Sequence, residues 1–264
     1  MQGWKDRLMT LPGLAGFAFF YLVPLAKTAY YALIRSPFDA SFVGLANLKG
    51  VISNDYFQEA IAHTAVFTLL SVSLMMALCI VFVFLIASGG YSMNTPLMLP
   101  VLLPTVAVAL IWKALFGQDS LLNALGVDAR ASLILLFVWK HAGLHVVLLL
   151  SAIAQIPRER MEAAAMDGAG AARRFRHIVL PALLPTLLFC LTYALMSSFR
   201  IFQEAYLLYG AYPDGALFMV QHFIYNQFTR LHYPEVASAG LIYAFPIALL
   251  VGVLFHAEDR IQEA

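Results

Sequence analysis

The chain has 264 residues, 62% of them hydrophobic and only 12% charged, with a formal net charge of +1 and a mean hydropathy of +0.81. A soluble globular domain is about 45–50% apolar and about 25% charged, so the apolar excess exceeds what a soluble core holds, and the near-neutral charge argues against a nucleic-acid partner. Lipid admits only structures that satisfy their own backbone polar groups, and long apolar runs rather than ten-residue alternations select helices of about 20 residues over a barrel.

The expected fold class is therefore an all-α membrane protein with about six transmembrane helices, forming a single transmembrane domain over 1–264. Taken in chain order, the apolar segments cover 11–34, 60–87, 96–116, 132–156, 179–201 and 236–256. The first follows MQGWKDR, is too long for a signal h-region and lacks an A-x-A-like exit, so it is expected as a retained span. Between the second and third, SGGYSMNT over 88–95 carries a glycine pair suited to a tight reversal. The connector over 202–235 holds Pro213, Asp214 and Pro234 and is long enough to expect some structure of its own. Cys79 and Cys190 lie inside apolar runs without CxxC spacing and read as small hydrophobes.

An even span count puts both termini on one side. Lys and Arg accumulate in cytoplasmic loops, and the segment between spans four and five holds Arg158, Arg160, Arg173, Arg174 and Arg176. That segment, with Lys5, Arg7 and Arg260, is assigned to the cytoplasm, and Arg35, Lys49, Arg130 and Arg230 to the outer face. The chain is thus expected to be a multi-pass protein of a bacterial plasma (inner) membrane with both termini cytoplasmic.

The five-arginine segment also has a shape of its own. Arg158 to Met166 favours helix by propensity, and Pro157 is tolerated at its start because the missing N–H would be unbonded there. Asp167-Gly168 predicts a left-handed stop, followed by a second helix over 169–177 that ends where Leu180-Pro181 begins the next span. Alanines at 163, 164, 165, 169, 171 and 172 present little bulk and allow another backbone to dock closely.

Glu162-Ala163-Ala164, Asp167-Gly168-Ala169, Phe175, Ile178 and Leu180-Pro181 resemble, at every spacing, the EAA loop of ABC importer permeases. Gln155-Ile156-Pro157 resembles the carbohydrate-uptake branch, the maltose- and glycerol-phosphate-type systems. Phe42-Val43-Gly44-Leu45 with Asn47, Ile111-Trp112, Leu115-Phe116, Leu121-Leu122-Asn123, Trp139-Lys140 and Ala237-Ser238-Ala239 extend the resemblance along nearly the whole chain. Leu208-Tyr209-Gly210-Ala211-Tyr212-Pro213 departs from the family's LTxGGP, and Glu235 stands where glycine is common.

The resemblance implies a type I ABC importer permease that forms half of a pathway for a sugar or sugar-like solute. Its implied partners are a second permease in a heterodimer, a cytosolic ABC ATPase dimer, an extracytoplasmic solute-binding protein and membrane lipid. The implied coupling residues are Glu162, Ala163, Ala164, Asp167, Gly168 and Ala169. No Gly-Lys pair occurs, so a GxxxxGK[ST] phosphate cradle is missing; the chain is expected to be a non-catalytic subunit that binds no cofactor, with ATP and magnesium on the ATPase.

Polar residues inside spans face a protein interior or an aqueous path. Lys140, His141, Ser197, Ser198 and Arg200 are the pathway candidates, and the resemblance supports their location, since maltose-type permeases contact sugar near the span-four Trp and just before the Phe matching Phe202. His141 and His145 share an i, i+4 face as metal ligands could, yet no Glu makes the run HExxH, and packing or pathway lining is the expected role. The alternative function, an ion-coupled secondary transporter, calls for carboxylates within spans, where the only acidic residue near a span core is Glu204 at an end. An intramembrane enzyme calls for a nucleophile–base or metal-triad spacing that the sequence does not display.

Overall fold

The structure, a computed structural model, describes residues 2–89, 98–116 and 126–262, so the reversal beyond Gly89 and the Leu121-Leu122-Asn123 segment lie outside the described residues. Among these residues the secondary structure is helical, with one isolated bridge between Ile34 and Phe42. Among the described residues five helices are long and apolar enough to cross a membrane: Thr10–Leu33, Asp55–Ile86, Ala129–Ile153, Ala171–Tyr209 and Tyr233–Ile261. They correspond to predicted spans one, two, four, five and six.

The third predicted span is not one helix. A short turn, Leu99–Leu102, ends at Leu103, whose backbone is extended (φ −71°, ψ 139°), and a second helix runs Thr105–Phe116. The cause is Pro104, because a proline's Cδ disfavours the helical region for the residue before it.

Two other prolines are absorbed without a break, by a different device. Val23, before Pro24, donates its N–H to Ala18 O, and Leu180, before Pro181, donates to Phe175 O, each an i to i−5 bond closing a π turn, Ala18–Leu22 and Phe175–Val179. The wider turn relieves the clash between the proline ring and the carbonyl four residues back. The second helix expected over 169–177 is accordingly no separate element. It starts at Ala171 with Gly170 as its N-cap and continues through Pro181 into span five.

The chain folds as two units. One comprises Met1–Ile61 and Val220–Pro246. Span one is exposed over most of its length, and Ala32 is buried near its end. A hairpin follows it, with Val43 N bonded to Leu33 O and Arg35 N to Ser41 O. Gly44 takes the left-handed backbone (φ 59°) that turns the chain into the helix Ala46–Ile52, and Asn47 Nδ2 donates to Ala32 O and Ile34 O. The FVGL…N motif is thus a clasp that closes the end of span one. In the same unit Phe57 packs on Phe223 of the helix Val220–Thr229 (centroids 5.1 Å apart), and burial pushes His222 on that helix down to about 4.

The other unit comprises Ala62–Met219 and Ile247–Ala264. Its core draws Phe67, Met75, Cys79 and Val83 from span two, Val108 and Trp112 from Thr105–Phe116, and Leu133, Leu136, Phe137 and Leu149 from span four. Span five adds Leu183, Cys190 and Ala194. Both cysteines are buried and free, as small hydrophobes. The long connector carries the helices Phe202–Tyr209 and Val220–Thr229 with a 3-10 turn, Gly215–Leu217, between them.

Candidate functional site

Span four begins at Asp128, whose side chain caps the helix by accepting from Ala131 N at 2.6 Å. Trp112 Nε1 reaches Ser132 O and Oγ at 3.0 and 3.1 Å, tying Thr105–Phe116 to this end. Leu133, Phe137, His141, His145 and Leu149 then recur every four residues and are all buried, so the two histidines occupy the helix face that packs into the protein.

His145 is fully buried, with Nδ1 2.8 Å from its own helix's His141 O and Nε2 3.1 Å from Cys190 O on span five. A neutral imidazole carries one N–H and donates to one of these carbonyls at a time. With both nitrogens turned to carbonyls His145 offers no ligand, and among the described residues no group of three His, Cys, Asp or Glu side chains could hold a metal. His141 packs its ring on Phe137 (4.9 Å) and Tyr193 (6.4 Å), and its buried Nδ1 has no hydrogen-bond partner.

One residue earlier, Lys140 forms an ion pair with Glu204 of the helix Phe202–Tyr209; the side chains are 12% and 5% exposed. The cation of span four is therefore neutralised from the last helical stretch of the Ala171–Tyr209 segment. Ser197 and Ser198 are both buried. Ser198 Oγ lies 2.8 Å from Leu195 O and 3.2 Å from Thr68 Oγ1 of span two, while Ser197 Oγ has no hydrogen-bond partner. Arg200 is exposed, at the turn that ends span five. Of the five predicted pathway residues, Lys140 and His141 thus lie on span four and Ser197 and Ser198 near the end of span five, all four largely buried, while Arg200 is exposed two residues further on. Sequence reading missed Glu204 as partner to Lys140, 64 residues away, and Thr68 as partner to Ser198; a lone acid near span-forming sequence was the only signal for the former.

The predicted coupling residues form a compact turn. The helix Arg158–Met166 ends in a paired closure, with Ala169 N bonded to Ala164 O (2.9 Å) and Gly168 N to Ala165 O (3.0 Å), and Gly168 at φ 77°. A Cβ on Gly168 would meet nothing within 4 Å, so backbone conformation rather than space selects glycine there. Glu162, Ala163, Asp167 and Gly168 are exposed, Ala164 and Ala169 half-buried, and Met166 is 89% exposed at the tip. The turn is held from below by Met161, which packs on the core, and by Phe175, edge-on to Phe84 of span two at 5.1 Å. The result is a helical knob joined to span four by residues 154–157 and, through the extended Gly170, to the helix that runs from Ala171 into span five.

Residues 91–263 match the family described as the binding-protein-dependent transport system inner membrane component. The chain belongs to this family. It is a non-catalytic ABC importer permease subunit, a multi-pass protein of the inner membrane. Relatives of the permease include the arabinooligosaccharides transport system permease protein AraP of Bacillus subtilis, 26% identical over 96% of this chain and 89% of that one. The sn-glycerol-3-phosphate transport system permease protein UgpA of Yersinia pseudotuberculosis is 29% identical (97% and 95% covered). The trehalose/maltose transport system permease protein MalF of Thermococcus litoralis is 28% identical (97% and 93% covered). The permease also superposes on a chain of a bacterial ABC transporter involved in import of the acidic polysaccharide alginate, with a TM-score of 0.80 at 22% identity, covering 98% of this chain and 96% of that one. The same transporter in complex with an alginate pentasaccharide-bound periplasmic protein gives 0.81. At that identity the likeness shows the fold.

Proposed function

We propose that this permease carries an uncharged sugar, as one half of a heterodimeric pathway served by a cytosolic ATPase dimer and an extracytoplasmic solute-binding protein. Relatives named for arabinooligosaccharides, trehalose and maltose support the sugar class. The observation that carries the choice of an uncharged one is the Lys140–Glu204 pair, which neutralises the buried span-four cation and leaves Arg200 as the remaining cation among the assigned residues. The seam of Lys140, His141, Ser197 and Ser198, with Arg200 at its end, is assigned to this pathway. The buried hydroxyls of Ser197 and Ser198 and the His141 imidazole match the hydrogen-bonding chemistry of a hydroxyl-rich solute.

The knob containing Glu162, Ala163, Ala164, Asp167, Gly168 and Ala169 is assigned to the ATPase contact, with ATP and magnesium held by that subunit. Its exposure, its small side chains and its short link to the helix that continues into span five support this assignment. The five-arginine segment supports a cytoplasmic position for the knob and both termini.

The test is reconstitution. The permease is purified with the proteins that co-purify with it, its binding protein is captured, and the ligand of that protein is identified. In proteoliposomes, uptake of that ligand should require ATP and persist in the presence of a protonophore. Uptake that ignores ATP and collapses with the proton gradient would refute the ABC mechanism, and a phosphorylated or uronic ligand would refute the uncharged class.

A further inference from the structure

We infer that the segment between spans one and two is a membrane-surface collar whose exposed apolar side chains rest in the phospholipid headgroup and upper acyl region. Four large apolar residues lie exposed within fifteen positions, Phe38 (99%), Phe42 (75%), Leu45 (60%) and Ile52 (53%), and Tyr56 (70%) follows in the first turn of span two. A soluble surface carries scattered apolar residues, but such density in one segment marks a surface with a partner.

The geometry fixes where the segment sits. Span one ends at Leu33 and span two begins at Asp55, so both ends of the segment are held at the same membrane face. The segment cannot lift away as a free loop. Asn47 is bonded to Ala32 O and Ile34 O at the very end of span one, and Gln58 Nε2, in the first turn of span two, donates to Ile52 O. Both ends of the helix Ala46–Ile52 are therefore tied to span ends.

That helix is two-faced. Val51 is buried and Asn47 half-buried on the side turned to the protein, whereas Leu45, Lys49 and Ile52 are exposed at i, i+4 and i+7, one stripe. Apolar side chains interleaved with a lysine are the composition of an interfacial helix, whose aliphatic stem and ammonium satisfy acyl chains and phosphate at once. Aromatic residues likewise favour the headgroup level. The spans at either end of the segment also expose apolar side chains close to it, Tyr30 (51%) on span one and Ile61 (42%) on span two.

The occupant is therefore phospholipid rather than protein. The experiment places nitroxide labels by Phe38→Cys, Leu45→Cys and Ile52→Cys, one at a time, in a background with Cys79→Ala and Cys190→Ala. Each variant is reconstituted with its co-purifying subunits in nanodiscs of phosphatidylethanolamine and phosphatidylglycerol. Collision with oxygen and with a water-soluble nickel chelate is then compared, with Ser41→Cys as the loop control. The expected result is a preference for oxygen at 38, 45 and 52, at least threefold above that at 41. Preference for the nickel chelate at 38 and 45 would show a water-exposed segment and overturn the collar. Immobile spectra shielded from both reagents would assign the surface to a protein partner and overturn it equally.

Discussion

Lys140 and Glu204 show what a buried charge implies at the scale of one residue. Taking either ion from water costs several kcal/mol, and the pair is tolerable only because each neutralises the other. Glu204→Gln would leave Lys140 uncompensated in a site where the pair's side chains are 12% and 5% exposed, and is expected to cost about 3–5 kcal/mol of stability. The double variant Lys140→Met with Glu204→Leu removes both charges and should recover most of that loss. Thermal unfolding of the purified permease complex in nanodiscs measures both. Equal stability of Glu204→Gln and the parent would mean that Lys140 finds another partner and that the charge balance argued above is not set by this pair.

At the scale of elements, prolines and glycines decide where helices break, bend or turn, and not all of this was legible in advance. The left-handed stop at Gly168 was readable because Asp-Gly after a helix-forming run has a single backbone solution. The breaks were not, because Leu103-Pro104 ends a helix while Val23-Pro24 and Leu180-Pro181 are carried by π turns, and the dipeptides look alike in sequence. The polar seam was half legible. Apolar runs locate spans, yet a membrane helix is apolar all round, so hydropathy does not say that Ser198 turns to Thr68 or that Lys140 meets a glutamate 64 residues on. Gly168 supplies the test at this scale. A β-branched residue in the left-handed region costs roughly 1–2 kcal/mol, whereas asparagine adopts it readily. Since no atom crowds the position, Gly168→Val should distort the knob and lower ATP-driven uptake at least tenfold while Gly168→Asn keeps it near the parent level. Equal uptake by the two variants would show that the backbone conformation at this turn is not part of coupling.

For the whole molecule, the third predicted span decides the topology. The helix Thr105–Phe116 has 12 residues, about 18 Å at 1.5 Å per residue, short of a hydrocarbon core of about 30 Å. With Leu99–Leu102 and the chain before it, the segment crosses only if the broken pieces together span the membrane. Were it to turn back instead, everything after it would change sides, and the five arginines between spans four and five would share the face of Lys49. That arrangement contradicts the accumulation of Lys and Arg in cytoplasmic loops. Lys49, Ala172 and Asp214 are all exposed and suit cysteine replacement, while Cys79 and Cys190 are buried and replaceable by alanine. Lys49→Cys and Asp214→Cys should react with a membrane-impermeant maleimide added to intact spheroplasts, and Ala172→Cys should react only after the membrane is opened. Labelling of Lys49→Cys and Ala172→Cys from one face would mean that the segment broken at Pro104 re-enters rather than crosses, leaving five spans and termini on opposite sides.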